Sequence, residues 1–272
     1  MSDQALSDLR PCGYLWDGGL VGFGPRFGVV PPHSHHAVQI SIALEGTARA
    51  RSSESDEWLD YSAVVIAADA VHSFDRNDAM LAMIFVDPES LEGRWLAKTY
   101  GSEIAALPES RIESCREKLI QLWRDPPDAD GVIATIAGGV RGMCSGIAPT
   151  KKIDERILKA LDIIRSIDVL RISLEEIADA VFLSPSRFAH LFSDELGLPF
   201  RRYVLWRKMT RALYMVAHGE TLSSAAHASG FSDSAHLTRS CYQMFGVAPT
   251  HMVGTSELFV IPAPFELPFV AA

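Results

Sequence analysis

Two stretches decide the fold: SLEEIADAVFLSPSRFAHLFSDELG, residues 173–197, and TLSSAAHASGFSDSAHLTRSCYQMFG, residues 221–246. They are two versions of one pattern. Ser173 aligns with Thr221, Leu174 with Leu222 and Ala178 with Ala226 at an offset of 48. Beyond the turn the offset is 49, pairing Phe188 with Leu237, His190 with Arg239 and Gly197 with Gly246, so the turn of the second copy holds one added residue. In the first copy Ser173 is suited to cap a helix, with Glu176 completing a capping box. Leu174, Ile177, Ala178 and Val181 form an inner face, and small Ala178 admits a closely packed neighbour. Ser184 then caps a second helix, with Pro185 where a missing N–H costs nothing. Phe188, Leu191 and Phe192 anchor that helix and leave Ser186, Arg187 and His190 outside. In the second copy Gly230 supplies the turn, Ser232 or Asp233 the cap, and Leu237, Cys241 and Phe245 the inner face. Ser234, Ala235, His236 and Arg239 are left near the outside. Each copy is a helix-turn-helix.

Between the copies, Pro199–His218 reads as one long helix ended by Gly219, carrying Arg201, Arg202, Arg207, Lys208 and Arg211. A single helical hairpin with good caps is ordinary scaffolding; two in tandem joined by a basic helix point to nucleic acid. The charge distribution agrees, weakly. The net charge of −9 splits into −9 for residues 1–150, +2 for 151–252 and −2 for 253–272.

The second copy, A-x-x-x-G-F-S-D-x-x-x-L-x-R-x-x-x-x-x-F-G-x-x-P from Ala226 to Pro249, resembles the signature of the AraC/XylS transcription regulators. S-P-S-R-F-x-x-L-F in the first copy and R-K-M-x-x-A at Arg207–Ala212 are similar to the same family's upstream unit, so the likeness covers roughly 100 residues. It implies two units entering successive major grooves on one face of the DNA. Base-reading positions implied by the resemblance are Ser186, Arg187 and His190 in the first unit, and Ser234, Ala235 and Arg239 in the second. Arg239 suits a bidentate contact with guanine. The short side chains at Ser186, Ser234 and Ala235 leave room for methyl contacts, water or DNA shape. The helix starts at Ser184 and at Ser232/Asp233 can take phosphates through backbone N–H groups, although Asp233 repels one very close by. Arg202 and Arg207 are further DNA-contact candidates. After Pro249 the chain departs from the family, reading Thr250-His251-Met252-Val253. Its tail, GTSELFVIPAPFELPFVAA, has no positive charge and is expected to dock on the protein surface.

The N-terminal half has a different grammar. Alternating runs at Val38–Ala43, Ala63–Ala67 and Leu81–Val86, separated by Gly, Pro, Asp and Ser clusters, predict short strands in a sandwich or barrel. From Pro88 the period becomes helical. Ile112, Cys115, Leu119, Leu122 and Trp123 share one face, Pro126 and Pro127 stop that helix, and Val132, Ile133, Ile136, Val140 and Met143 mark another. These stripes can cover the sheet or join a second subunit.

Within this half lies PPHSHHAVQISIALEG, residues 31–46. His33, His35, Gln39 and Gly46 keep the spacing H-x-H-x3-E-x6-G of a first cupin motif, with Gln39 where metal-binding cupins place Glu. A second motif, P-x-G-x2-H, survives only as His72 in Ala67-Ala68-Asp69-Ala70-Val71-His72. The resemblance is to the cupin-like sensor barrels fused ahead of AraC-type DNA-binding units. In one reading His33, His35, Gln39 and His72 line an effector pocket. In a second, His33, His35 and His72 bind a divalent metal, with Gln39 a weak neutral fourth ligand. In a third the histidines are structural or surface residues, a class into which alternation places His36. Trp16, Phe23, Phe27, Trp58 and Phe74 are candidate pocket walls or plain core.

Composition bounds the rest. Apolar content of 48% and charged content of 22% over 272 residues suit one or two globular domains. No run of eighteen apolar residues predicts a membrane span, and the N-terminus, with two acids and no apolar core, is unlike a signal peptide. Cys12, Cys115, Cys144 and Cys241 are scattered without a CxxC, which speaks against a zinc ribbon or a disulfide framework and for a reducing cytoplasm. The expected fold is a multidomain α+β chain: a cupin-like sensor barrel over 1–88, helices over 89–146, an all-α tandem helix-turn-helix over 147–252 and an apolar tail over 253–272. The expected function is a cytoplasmic, sequence-specific transcription regulator, activator or repressor, and not an enzyme. Its partners would be an operator in double-stranded DNA, a small-molecule effector, a second copy through helices in 89–146, and RNA polymerase if it activates. It needs no cofactor; the metal reading alone adds a divalent ion. The alternative is a metal-dependent, dioxygenase-like cupin enzyme with a helical appendage.

Overall fold

Strands form where short β-branched and aromatic runs alternate between Gly, Pro and Asp breakers. In chain order they are β1 (Cys12–Trp16), β2 (Gly19–Gly24), β3 (Val29–His33), β4 (Val38–Glu45), β5 (Ala48–Arg51), β6 (Leu59–Tyr61), β7 (Ala63–Ile66), β8 (His72–Asp75) and β9 (Met80–Val86). Then come α1 (Leu91–Tyr100), β10 (Ile104–Ala106), α2 (Glu109–Arg124) and α3 (Ala129–Met143). The C-terminal part contributes α4 (Glu155–Ser166), α5 (Leu174–Ala180), α6 (Pro185–Leu196), α7 (Phe200–Ala217), α8 (Leu222–Ala228), α9 (Ser234–Phe245) and β11 (Glu257–Val260). The protein is represented by a computed structural model that describes residues 5–16, 19–24, 28–88, 90–101, 103–146, 153–166, 170, 172–196, 199–250 and 257–260. Two units emerge, Met1–Pro149 with Tyr242–Ala272, and Thr150–Cys241. The expected divider at residues 145–150 lies mostly outside the described residues, as do most of the tail and Phe27. Within the tail, Glu257–Val260 pairs in parallel with β1.

In the first unit the strands make a seven-stranded sheet, β10-β7-β4-β9-β2-β1-β11, and a four-stranded sheet, β3-β8-β5-β6. The expected barrel is therefore not closed: among the described strands no hydrogen-bonded pair joins the two sheets. Sequence supplies a reason. Edge strand β3 reads Val29-Val30-Pro31-Pro32-His33, and two prolines without N–H groups cannot extend a ladder.

Both faces of the larger sheet are buried. One face, with Val21, Phe23, Ile40, Ile42, Val65 and Ile84, shares a core with Ile112, Leu119, Leu122, Ile133, Ile136 and Val140 of α2 and α3. The apolar stripes that suggested a dimer are thus spent inside one chain, and the expected homodimer draws no support from them. A buried Glu92 on α1 accepts a hydrogen bond from Arg141 Nε at 2.7 Å, tying α1 to α3. The other face carries Gln39, Ser41, Met83 and Phe85 and looks toward Val30, Ala48, Ala50 and Phe74, the apolar positions of the smaller sheet.

In the second unit α4 supplies Ile157, Ala160, Leu161 and Ile164 to a core with Ile177, Ala178, Val181, Phe188 and Phe192. Phe188, Phe192, Phe200 and Tyr203 pack edge to face or tilted, with centroids 5.3–5.5 Å apart, the geometry aromatic quadrupoles prefer. The long basic helix expected between the repeats is α7, and Gly219 follows it at φ 88°.

Candidate functional site

The repeat seen in sequence is a repeat in hydrogen bonding. Ser173 Oγ accepts from Glu176 N at the start of α5, and Thr221 Oγ1 accepts from Ser224 N at the start of α8. The turns superpose donor for donor: Leu183 N donates to Ala178 O and Phe231 N to Ala226 O, each at 2.9 Å. In the next helices Phe188 N donates to Ser184 O and Leu237 N to Asp233 O. The offset therefore changes between Leu183/Phe231 and Ser184/Asp233, which identifies Ser232 as the added residue. The same bonds settle the second cap. Asp233 Oδ1 accepts from His236 N at 2.7 Å, and that backbone N–H holds the Asp233 carboxyl below the usual carboxylate range. Ser232 Oγ instead donates to Asp233 Oδ2 and lies 3.2 Å from His236 Nδ1.

Most of the sequence-predicted DNA contacts lie outside. Ser184, Ser186, Arg187 and His190 are exposed around the first half of α6; Ala235 and Arg239 are exposed and Ser234 half-buried on α9, with Ser232 exposed before it. Arg202 is exposed and Arg207 half-buried on α7. Two features escaped sequence reasoning. Lys208 is a brace between α7 and the second turn, donating from Nζ to Gly230 O at 3.3 Å. Phe182 stands where the second repeat has Gly230; it takes the same left-handed conformation, φ 58° against 77°, with its ring 88% exposed. The alignment at offset 48 contained that signal.

In the first unit the structure brings His33, His35 and His72 together. One ring nitrogen from each lies within 4.8 Å of the other two, and all three residues are buried. Register explains the meeting: His33 and His72 are cross-strand partners on β3 and β8, and His35 lies in the β3–β4 turn. The turn before His72 keeps its shape without the motif's glycine. Asp69, at the glycine position, has φ 62°, and its N–H donates to His35 O at 2.8 Å; Asp tolerates this region better than most side chains. His36 is not in the cluster, as alternation predicted. It is buried and sits 3.2 Å from Asp69 Oδ2.

Each clustered ring is fixed through Nδ1, against Pro31 O, Ala37 O and Ala70 O respectively, at 2.9 Å. With Nδ1–H donating to a carbonyl, Nε2 carries the lone pair. Desolvation lowers all three pKa values, His35 to about 4 and His72 to about 2. Burial favours the neutral form of each ring. Among the described residues, His72 Nε2 is buried without a hydrogen-bond partner. Three imidazoles brought together, each with Nδ1 bonded to a carbonyl, fit a metal ion, since metal-bound histidines usually donate their other N–H in this way.

Beside the cluster is a cavity of about 40 Å³ whose lining includes His33, Gln39, Phe74, Met83, Phe85 and Phe245. Of the expected walls, Phe74 lines it. Trp16 and Phe23 belong to the core on the opposite face of the sheet, and Trp58 lies against Arg49 and Arg51. Met83 and Phe85 were missed, although Phe85 pairs directly with Gln39 across the β4–β9 ladder. Phe245, which belongs with the first unit, stacks on His35 at 6.3 Å.

The geometry of the second unit defines a tandem helix-turn-helix domain, and residues 177–254 match a family model described as a helix-turn-helix domain. With the AraC/XylS signature at Ala226–Pro249 inside that match, this part of the chain is an AraC-type helix-turn-helix domain. Among curated proteins, the chain is 30% identical over 141 residues to the regulatory protein PocR of Salmonella typhimurium, covering 51% of this chain and 43% of PocR. It is 30% identical over 81 residues to the probable transcriptional regulator LumQ of Photobacterium leiognathi, covering 29% of this chain and 33% of LumQ. The chain thus spans less than half the length of either relative. Among solved structures, the apo form of a ToxT point variant from Vibrio cholerae has the same fold, with a TM-score of 0.59 at 12% identity over 88% of this chain and 98% of that one.

Proposed function

We propose that this chain is a sequence-specific DNA-binding transcription regulator, reading its operator with α6 and α9 and governed by a small ligand held in the N-terminal unit. The observation that carries the reading is the pair of turns with matching hydrogen bonds, each followed by a capped helix with exposed residues near its start, Ser186, Arg187 and His190 on one and Ala235 and Arg239 on the other. Scaffolding needs neither the repetition nor two outward-facing helix starts. Arg187, His190 and Arg239 would read base edges, and the backbone N–H groups at Ser184 and Asp233, with Arg202 and Arg207, would hold phosphates.

A genomic-fragment pull-down with the full chain, followed by binding to the recovered fragment at several salt concentrations, tests this. Affinity should fall steeply with salt as phosphate contacts release counterions. Arg239→Ala should cost about 1–3 kcal/mol and relax preference at one base pair. A variant that binds the fragment as well as wild type removes α9 as a reading helix.

For the ligand, a ToxT structure carries an unsaturated fatty acid. The cavity here, about 40 Å³, is far below the roughly 300–1,000 Å³ of sites for drug-sized ligands. It has room for an ion and a water or two, since one water needs about 10–15 Å³. The three-histidine cluster favours the alternative of a metal-dependent cupin enzyme. That reading requires turnover lost in His35→Ala, and it leaves both helix-turn-helix units without a task.

A further inference from the structure

The last turn of α9 carries a ring into the first unit. By helical spacing Phe245 belongs on an inner face with Leu237 and Cys241. In the structure Tyr242–Ala272 belong with the first unit, and the buried Phe245 ring stacks on His35 at 6.3 Å and meets Phe85 edge-on at 6.0 Å. Three further contacts seat the same segment. Gly246, at φ 68°, lies so near β3 that a Cβ would come within 2.2 Å of Val30 Cγ1. Val247 packs against the apolar cluster that holds Val30, Ala50 and Phe74. Glu257–Val260 pairs with β1. The helix is unbroken up to this point, since Gly246 N donates to Tyr242 O at 2.8 Å.

The space that receives the ring is written into β2. Its side chains alternate, so Val21 and Phe23 join the core shared with α2 and α3, while Leu20, Gly22 and Gly24 face the cavity. Two glycines there leave open ground where side chains would otherwise stand. Phe245 and Val247 close that ground and leave about 40 Å³. With the ring withdrawn, the space approaches that of a cavity of roughly 150 Å³, which takes benzene. The walls Phe74, Met83 and Phe85 are apolar. The Gln39 amide is taken up by His35 Nε2 and Ser41 Oγ, each at 2.9 Å. A molecule standing where Phe245 stands is therefore held by shape and ring contacts more than by hydrogen bonds.

We propose that Phe245 occupies this cavity as the chain's own stand-in for a ligand, and that the ligand is a small apolar molecule of aromatic-ring size that replaces Phe245 and unseats the last turn of α9. This names the ligand class and the regulation of the site, and in its sensing role it rests on the regulator reading above. A tethered ring is present at high effective concentration, so an incoming molecule binds only by outdoing the ring's own fit. Ala235 and Arg239, read above as facing DNA, lie on the helix that Phe245 ends. Occupancy of the cavity and freedom of α9 are then one equilibrium, and a ligand shifts it by the difference in its affinity for the two states.

The test titrates the full chain with fluorobenzene and with 5-fluoroindole, followed by fluorine NMR. Saturable binding of at least one is expected in the wild type, and binding about tenfold tighter or more in Phe245→Ala, where the competing ring is gone. Because that variant can fail to fold, hydrogen exchange is also read in the wild type. The saturating probe should speed exchange of the Gly246 amide, which closes the last turn of α9, by about tenfold or more. Binding to Phe245→Ala alone overturns the proposal, since a ring that merely packs also leaves a hole that fills when it is removed. Equal affinity in both chains, binding in neither, or bound probe with unchanged Gly246 exchange overturns it too. Affinity for the recovered operator fragment is measured with and without the probe. A chain that binds its operator but takes no probe leaves the regulator reading standing and sinks this one. A chain that takes the probe but binds no DNA removes the regulator reading and, with it, the sensing role. Probe binding without any change in operator affinity likewise ends the sensing role.

Discussion

The two helix-turn-helix turns offer a controlled comparison, because the same left-handed position is Phe182 in one and Gly230 in the other. In Gly230→Ala, a side chain at φ 77° costs about 1–2 kcal/mol. The new Cβ would lie 3.0 Å from Leu170 Cδ2 and 3.1 Å from Lys208 Cε and Nζ. These are ends of flexible side chains and can move. Moving Lys208, however, breaks its hydrogen bond to Gly230 O, a further loss of about 0.5–1 kcal/mol. The sum is about 2 kcal/mol of destabilisation. The opposite change, Phe182→Gly, is not its mirror image. It recovers about 1–2 kcal/mol of backbone strain, but glycine returns about 0.5–1 kcal/mol through the unfolded chain. It also loses the contact of the Lys159 ammonium with the ring, 5.5 Å from its centroid, worth about 0.5 kcal/mol at an exposed site. The net change lies within about 1 kcal/mol of zero. Native-state hydrogen exchange of the full chain reads both. Protection of the Phe231 amide should fall about 30-fold in Gly230→Ala, while that of the Leu183 amide in Phe182→Gly changes by less than about fivefold. If Phe182→Gly lost more protection than Gly230→Ala, the ring would be holding the turn by packing, and the strain argument would be refuted.

Three further outcomes follow from packing and backbone geometry. Phe188→Ala empties a fully buried ring site beside Phe192 and Phe200 and should cost about 3–5 kcal/mol in urea unfolding; a loss under about 1 kcal/mol would contradict the core described. Gly246→Ala places a Cβ into Val30 Cγ1 at φ 68° and should destabilise by about 2 kcal/mol or more, seen as a lowered Tm. Asp69→Gly keeps the turn before His72 and should stay within about 1 kcal/mol of wild type, whereas Asp69→Val, β-branched at φ 62°, should lose about 2 kcal/mol or more. Equal thermal shifts for the two Asp69 variants would mean the turn conformation is not what positions His72.

Much of the helix-turn-helix half was legible because helix-turn-helix units are local. Caps, inner-face spacing and turn residues all act within about twenty residues, so Ser173, Ala178, Phe188, Gly230 and Leu237 announce their places from sequence alone. The ambiguity between Ser232 and Asp233 as the cap was not resolvable that way, since both residue types cap well. The Asp233–His236 hydrogen bond decided it. Phe182 was overlooked because an aromatic residue reads as core by composition, and only backbone φ shows that it replaces a glycine.

The N-terminal half was legible as strands followed by helices, and as a partial cupin pattern, but not further. Pairing between distant strands fixes which side chains meet, and sequence spacing does not contain it. Whether the stripes on α2 and α3 faced a sheet or a second subunit was open for the same reason. Sequence by itself determined the repeat, its caps, the outward residues of α6 and α9 and the candidate histidines, because each rests on helical or strand period and on local hydrogen bonding. Tertiary structure alone decided that β3 and β8 bring His33 against His72, that Asp69 stands in for a glycine, that the helices of the first unit bury their faces within the chain, and that Gln39 faces His35. Those outcomes depend on strand register and side-chain burial between residues tens of positions apart, where the free energy belongs to the assembled sheets and not to any one segment.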